Sequence, residues 1–301
     1  MSISVSGLSK KYGTQLAVNH ISFTIGKNEI VGFLGPNGAG KSTTMKMITG
    51  YLQSDVGNIE ICGMQVLFGQ TSTQQKIGYL PEANPLYTDL YVREYLHFIA
   101  GIHQIRYATQ QVESIIQKVG LTPEAHKKIG QLSKGYKQRV GLAAAMIHDP
   151  EVLILDEPTT GLDPNQILEI REVIRQLGQH KTILFSSHIM QEVEALCDRV
   201  IIINNGTIVA DDKLINLKQK GKDKHQIQVQ FKENISAATL QEIQSCSSVK
   251  SLPDNLFIID TEQPDNLKKA LLTLSIQKGL NIISMNSESN DLENIFKQLT
   301  S

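Results

Sequence analysis

Residues Gly35 to Thr43 read GPNGAGKST and follow directly on the apolar run Ile30-Val31-Gly32-Phe33-Leu34. A strand that empties into GxxxxGK(S/T), with the helix-forming stretch KSTTMKMITG behind it, restricts the chain to a phosphate-binding turn between strand and helix. Gly35, Gly38 and Gly40 let the backbone bend without side-chain clash, and Pro36, Asn37 and Ala39 complete the loop. Successive N–H groups then point inward at a phosphate, and the helix adds its positive end. Lys41 is placed to reach the β- and γ-oxygens and the Ser42 hydroxyl to ligate Mg²⁺, and Thr43 beside them is a further nucleotide-binding candidate, as are Pro36, Asn37 and Ala39 of the loop. The ligand expected here is a nucleoside triphosphate with its magnesium ion.

The chain's 301 residues suffice for one large domain and a small one, and 41% hydrophobic with 20% charged residues is ordinary globular composition. A formal net charge of −1 supplies no overall pull toward DNA or an anionic membrane, so no nucleic-acid partner is expected. Cys62, Cys197 and Cys246 are odd in number and lack any CxxC spacing, which argues against a metal site or a disulfide framework. The opening MSISVSGLSKKYG has no long apolar core, and no run of 18 apolar residues occurs, so neither signal peptide nor membrane-spanning helix is expected. If the chain serves a membrane, another polypeptide spans it.

Periodicity divides the chain. Alternation at Ile3 to Leu8 and from Ala17 through Ile25 predicts a β layer ahead of the phosphate loop. After the loop come a helix (Lys41 to Thr49), a strand at Ile59 to Ile61 and another at Lys76 to Leu80, ended by Pro81. From Tyr91 to about Ile147 the period is helical, in VREYLHFIAGIH, QQVESIIQKVG and YKQRVGLAAAMIH. Apolar strands return at Val152 to Leu155, Thr182 to Phe185 and Val200 to Ile203, with helix-like REVIRQLGQH and HIMQEVEALCDR between them, which predicts a parallel sheet with crossover helices.

Two further pieces carry chemistry. In VLILDEP, Asp156 and Glu157 sit at the exit of a buried strand: Asp156 is placed to hold Mg²⁺ through water, and Glu157, pointing the other way, to accept a proton from a water attacking the γ-phosphate. In LSKGYKQR, Ser133 is a good helix N-cap and Gly135 allows close approach, so this helix start offers a hydroxyl, bare N–H groups and a positive dipole end to a second phosphate contact.

At LSKGYKQR the chain resembles the ATP-binding subunits of ATP-binding-cassette (ABC) transporters, whose signature runs LSGGQ-x-QR. The resemblance covers about the first 210 residues with the motifs in order. It implies an α/β P-loop ATPase domain with a mixed sheet core, an antiparallel β layer and a helical subdomain. It also implies a head-to-tail dimer in which Ser133 and Gly135 of one copy close over ATP held by the loop of the other. Tyr12 of KKYG matches the aromatic that stacks on adenine, a contact worth roughly 1 kcal/mol. Gly161-Leu162-Asp163 matches the loop that crosses the dimer interface, and His188 of LFSSH matches the switch histidine that orients the attacking water. Other histidines, such as His97 and His148, are read as structural.

Departures qualify the match. Lys134 replaces the first signature glycine and Tyr136 the glutamine, and Glu82 of GYLPE stands where the family has a loop glutamine. An ionised Glu82 only accepts hydrogen bonds, so it suits Mg²⁺ or water and repels phosphate, and it is counted with Glu157 and His188 as a catalytic candidate and with Ser42 and Asp156 as a metal candidate. The tracts GYLPE, LSKGYKQRVGLA and SSHIMQEVEALCDRVIIINNG resemble the type-2 exporter group, and more narrowly the ATP-binding subunit associated with gliding motility.

The expected organisation is a nucleotide-binding domain over 1–213 with its helical subdomain at about 84–149, a cationic linker over 214–225, and a small domain over 226–301. The last reads strand, helix, two strands, helix, strand, the ferredoxin-like plan, with a final helix from Asp291. It serves either as a packing or dimerisation appendage or as a regulatory ligand site. For the whole chain the leading expectation is an ATPase that drives a membrane-spanning permease from the inner face of the plasma membrane, docking through Tyr91 to His103 and the segment around Glu82. The alternative is a soluble nucleotide switch or scaffold without a transport role. Translation factors of that kind usually carry two cassettes in one chain and repair proteins insert long coiled coils, and neither feature is present.

Overall fold

Alternating apolar residues at the start of the chain form β1 (Ile3–Tyr12) and β2 (Gln15–Ile25), which bury Ile3, Val5, Leu8, Val18, Ile21, Phe23 and Ile25 on one face. The computed structural model describes residues 1–217, 225–288 and 292–300. Next in order come β3 (Ile30–Leu34), α1 (Lys41–Ile48), β4 (Val56–Ile61), β5 (Met64–Gln65) and β6 (Ile77–Leu80). Three helices follow, α2 (Val92–Ile102), α3 (Ala108–Lys118) and α4 (Lys134–Met146). The chain then returns through β7 (Val152–Asp156), α5 (Pro164–Gly178), β8 (Thr182–Ser187), α6 (Met190–Leu196), β9 (Arg199–Asn204) and β10 (Thr207–Lys213).

The strands make two sheets. β2-β1-β4-β5 is antiparallel; β10-β9-β3-β8-β7-β6 is parallel apart from the edge strand β10. One apolar core joins them: Val5, Phe23 and Ile61 from the first, Phe33, Ile154 and Ile201 from the second, and Met45, Met47 and Ile48 from α1. The rings of Phe23 and Phe33 meet across the layers with centroids 5.7 Å apart. Because β7 and β8 are buried along their full length, they have no polar face, and this is why the sequence shows them as continuous apolar runs.

This is the α/β fold with a mixed sheet, a β layer and helices that the sequence predicts, with some boundaries moved. β1 and β2 run several residues beyond the expected alternation. α5 begins two turns before REVIRQLGQH, since Asp163 caps it by accepting from the Gln166 N–H at 3.0 Å and Pro164 occupies the first helical position. β5 and β10 have no counterpart in the sequence reading; each is an edge strand whose pairing, rather than its own pattern, makes it a strand.

Two compact units divide the chain, Met1–Lys213 with Thr300, and Leu214–Leu299. The second contains β11 (His225–Phe231), α7 (Ala237–Gln241), β12 (Ser248–Leu252), β13 (Leu256–Thr261), α8 (Pro264–Lys278), β14 (Ile282–Glu288) and all but the last residue of α9 (Leu292–Thr300). Its sheet is antiparallel in the order β12-β13-β11-β14, and Ile227, Val229, Phe231, Phe257 and Ile259 share a core with Leu240, Leu267 and Leu271 of its helices. Most of the expected linker, and Asp291 at the expected start of the final helix, lie outside the described residues.

Gly78 sets how closely the helical part approaches the sheet. A Cβ there would collide with the Ala145 carbonyl of α4, so β6 and α4 meet backbone to backbone. Gly78→Ala is therefore expected to destabilise the first unit by about 1–3 kcal/mol, the usual cost of overpacking. Urea unfolding checks this; a midpoint equal to that of the unsubstituted chain would show that the helix gives way at no cost.

Candidate functional site

Parallel pairing brings the carboxyl ends of three strands together: Leu34 of β3 stands opposite Ser187 of β8, and Asp156 of β7 opposite Ser186. Ligand sites of open α/β sheets form at such strand ends. A cleft of about 640 Å³ opens there, lined by Tyr12, Asn37, Gly38, Gly40, Lys41, Ser42, Thr43, Glu82, Glu157, Thr160 and His188 among others. Residues from five separate motifs thus face one space.

The loop from Gly35 to Gly40 has the geometry its glycines require. Gly38 and Gly40 have φ of +81° and +107°, and a Cβ on Gly40 would also stand 2.5 Å from the Ala17 carbonyl. Gly35 is needed for a different reason, since a Cβ there would meet the Ile203 carbonyl of β9. Ala39 is buried beneath the loop, and the Pro36 carbonyl accepts from the Ala39 N–H at 3.2 Å. Lys41 donates to the carbonyls of Gly35 at 2.8 Å and Pro36 at 3.2 Å.

The two carboxylates divide their partners. Asp156 accepts from Ser42 Oγ at 3.1 Å and Ser186 Oγ at 2.6 Å through one oxygen, Oδ1. Glu157 lies 3.4 Å from Lys41 Nζ through Oε1, while its Oε2 is 2.9 Å from His188 Nδ1 and accepts from Thr160 Oγ1 at 3.1 Å. Lys41 and Glu157 are both about 6% exposed, which makes their pairing a screened-from-water interaction rather than a surface salt bridge. Glu157 has φ +51°, a left-handed backbone that costs a non-glycine residue energy and recurs at functional sites. Its N–H donates to Ser186 Oγ at 2.9 Å, so a single hydroxyl orders the backbone of Glu157 and the carboxylate of Asp156.

Hydroxyl and carboxylate oxygens converging at Ser42 and Asp156 form a hard donor set, the type that suits Mg²⁺ completed by phosphate and water. Tyr12 is half exposed at the cleft margin, with Lys10 Nζ 6.0 Å from its ring centroid. Glu82 reaches the same cleft from the end of β6.

Ser133 and Gly135 do not line this cleft. Ser133 caps α4, accepting from the Tyr136 N–H at 3.4 Å, and buried Gly135 packs against Gln166 of α5. The departures at this motif are filled by local packing: the Lys134 ammonium lies over the bare face of Gly161, and the Arg139 guanidinium sits 5.8 Å from the Tyr136 ring centroid.

A second cavity, about 340 Å³, lies among β6, α2 and α4, with Tyr51, Tyr79, Asn84, Ile99, His103 and His148 in its walls. Tyr87 and Phe98, both exposed, stack edge to face beside it. Asn84 ties the segment after Glu82 to α4, donating to the Lys137 carbonyl at 2.9 Å. His148 stacks flat on His103 at 4.0 Å and bonds the Ile77 carbonyl through Nε2 at 3.0 Å.

Sequence reasoning missed Ser186, Thr160, Asn84 and Glu192. None belongs to a glycine- or charge-marked motif, and only the tertiary pairing shows which polar atoms they serve. A pair of serines ahead of a histidine at a strand end, SSH, was the available signal for Ser186.

A family model of the ABC transporter matches residues 18–160. The uncharacterized ABC transporter ATP-binding protein YxlF of Bacillus subtilis (strain 168) is 34% identical over 98% of both chains. The chain belongs to the ABC transporter ATP-binding proteins. The bacitracin transport ATP-binding protein BcrA of Bacillus licheniformis is 33% identical over 99% of this chain and 96% of its own. Among solved structures, the dimeric post-hydrolysis state of the ATP-binding cassette MJ0796 bound to ADP and Pi superposes with a TM-score of 0.65 at 23% identity, over 70% of this chain and 98% of that one, a likeness of fold. Membership in this family implies ATP binding and hydrolysis. No helix among the described residues is long and apolar enough to cross a membrane.

Burial, with the neighbouring His103, pushes the His148 pKa from its ordinary 6.5 down to about 4. Between those values the unfolded chain binds the proton and the folded chain does not, so this stabilisation is complete above pH 6.5 and is lost as pH falls toward 4. His148→Gln is expected to flatten the decline in stability between pH 6.5 and 4.5; urea titrations at each pH, giving parallel slopes for both proteins, would refute the assignment.

Proposed function

We propose that this chain is the ATP-hydrolysing subunit of an ABC exporter, two copies of which close head to tail around two ATP molecules and so move a membrane-spanning permease. The observation that carries this reading is the partition of the phosphate-binding groups. Lys41, Ser42, Asp156, Glu157 and His188 converge on one cleft, whereas Ser133 and Gly135, a second set suited to phosphate, stand outside it. One chain therefore holds half of each site, and a second copy supplies the rest.

In this reading Tyr12 stacks on the adenine, and the loop N–H groups with Lys41 and Thr43 hold the phosphates, Lys41 exchanging its carbonyl acceptors for phosphate oxygens. Ser42, Asp156 through water, and Glu82 would hold Mg²⁺, which when bound would neutralise charge on the phosphates. Glu157 takes the proton from the attacking water, and His188, whose Nδ1 already meets Glu157, orients that water. The cavity among β6, α2 and α4, with exposed Tyr87, Phe98 and Ile102 nearby, is the docking face for the permease. In this reading the protein is cytoplasmic and held on the inner face of the plasma membrane through its partner.

Two finer assignments belong to the same proposal. The second unit is read as a ferredoxin-like domain over 226–301, supported by its βαββαβ order and its β12-β13-β11-β14 antiparallel sheet. The narrower role in gliding motility rests on the GYLPE, LSKGYKQRVGLA and SSHIMQEVEALCDR tracts alone.

Glu157→Gln is expected to bind ATP normally, lose turnover by about 100-fold or more as water activation fails, and accumulate as a dimer on light scattering. Unchanged turnover would remove Glu157 from the base role. Mixing Lys41→Ala and Ser133→Arg protomers, each inactive, is expected to restore part of the hydrolysis, because the mixed dimer contains one intact composite site. No recovery in dimers shown to be mixed would refute sharing of sites between chains.

A further inference from the structure

We infer that Glu192 is a positioning residue for hydrolysis: its buried carboxylate clamps the loop carrying Glu157 to the loop carrying His188 and so sets their mutual distance. The inference deepens the proposed function and rests on its assignment of Glu157 and His188.

Glu192 lies on α6 and is 2% exposed. Its two oxygens accept from two separate segments, the turn after β7 and the end of β8. Thr159 Oγ1, two residues after Glu157, donates to Oε1 at 2.6 Å, and Ser187 Oγ, immediately before His188, donates to Oε2 at 2.6 Å. Both donors are themselves buried. Among the described residues Glu192 has no ion pair, so these two hydroxyls are its partners. A carboxylate withdrawn from water without a cation is an expensive residue to bury, and an apolar side chain of similar size would fill the space at less cost. What an apolar residue cannot do is hold a hydroxyl of the turn after β7 and a hydroxyl at the end of β8 at once.

The helix that delivers Glu192 is itself fixed. A Cβ on Gly32 of β3 would come within 2.6 Å of Val193, so α6 lies flat on the strand that leads into the phosphate loop. The clamp thus refers both loops to the same strand that positions Lys41. At the His188 end, Ser187 Oγ also accepts from the Ile189 N–H at 3.0 Å, closing the turn in which His188 sits. The His188 ring is about 40% exposed and bonds Glu157. Its placement therefore depends on the turn, and the turn depends on Ser187. At the Glu157 end, the Ser186 hydroxyl orders the backbone on one side of Glu157 and Thr159 anchors the other. Glu192 does not line the nucleotide cleft, so it acts through these loops rather than on the substrate.

The test is steady-state ATP hydrolysis by the full chain with magnesium, alongside ATP affinity, for Glu192→Ala, Glu192→Gln, Thr159→Val and Ser187→Ala. Loss of the clamp displaces Glu157 and His188 by a fraction of an ångström, so Glu192→Ala is expected to lower kcat about 10- to 100-fold with KM for ATP within about twofold. Gln keeps one acceptor and turns its NH₂ to the other hydroxyl oxygen, so Glu192→Gln is expected to recover kcat to within about fivefold. Ser187→Ala is expected to resemble Glu192→Ala, and the double variant to be no worse than Glu192→Ala, since both cut the same bond. Turnover within twofold of the unsubstituted chain for both single variants, additive losses in the double, or a KM that rises in step with the fall in kcat would each overturn the inference. If Glu192→Ala does not fold, as judged by its melting transition, Ser187→Ala and Thr159→Val carry the same comparison from the donor side. Glu157→Gln run in parallel separates the two readings: if it keeps full turnover the proposed base is wrong, whereas if it is inactive while the clamp variants are normal, this inference alone fails.

Discussion

The side-by-side parallel pairing of β3, β8 and β7 is the constraint on which the rest of the molecule depends. It places the ends of three strands in register, Leu34 beside Ser187 and Ser186 beside Asp156, and so delivers the glycine-rich loop, His188 and the two acids to one end of the sheet. The pairing is made by backbone hydrogen bonds, and burial of both faces holds its register. β7 and β8 show no exposed residue, and a one-residue slip would break the match between the core of the β layer and that of the parallel sheet. The chemistry is confined to the residues just past the strand ends, where the backbone turns and side chains are released from the core.

At that edge, buried charge is organised by hydroxyls. Ser42 and Ser186 share Asp156; Thr160 joins His188 on Glu157; Thr159 and Ser187 share Glu192. Each carboxylate withdrawn from water has at least two partners, which is the condition under which a buried polar network rigidifies a site instead of destabilising it. Lys41 is the main buried cation of the set, and its contacts to Glu157 and two loop carbonyls show how it balances the acids. The left-handed backbone at Glu157 is held against its own strain by the Ser186 bond, so the residue proposed as the base is also the one whose conformation the surroundings must enforce.

Signals carried by neighbours in the chain were legible. The glycine-rich loop, the acidic strand end, the capped helix at Ser133 and the buried strands each announce themselves within about ten residues, and the fold class follows from their order. Edge strands β5 and β10 were not legible, because an edge strand takes its identity from its partner. The start of α5 was hidden by a motif read as a loop, although Asp163-Pro164 is itself a capping signal. In the second unit, the alternation of strand and helix was readable, while which strands pair was a matter of long-range packing.

By itself the sequence determined that a strand runs into a glycine-rich loop of the phosphate-binding pattern at Gly35 to Thr43, that two acids at 156 and 157 follow a buried strand, and that the chain has the motif order of an ABC ATP-binding protein. Those are local facts, written in residue type and spacing. The tertiary structure alone decided that Ser186 serves both acids, that Glu192 joins the turn after β7 to the end of β8, that Lys134 covers Gly161, and that Ser133 does not line the cleft. The reason is physical: a hydroxyl or a carboxylate has no partner until strands far apart in sequence are paired, and hydrogen-bond geometry exists only once that pairing has been made.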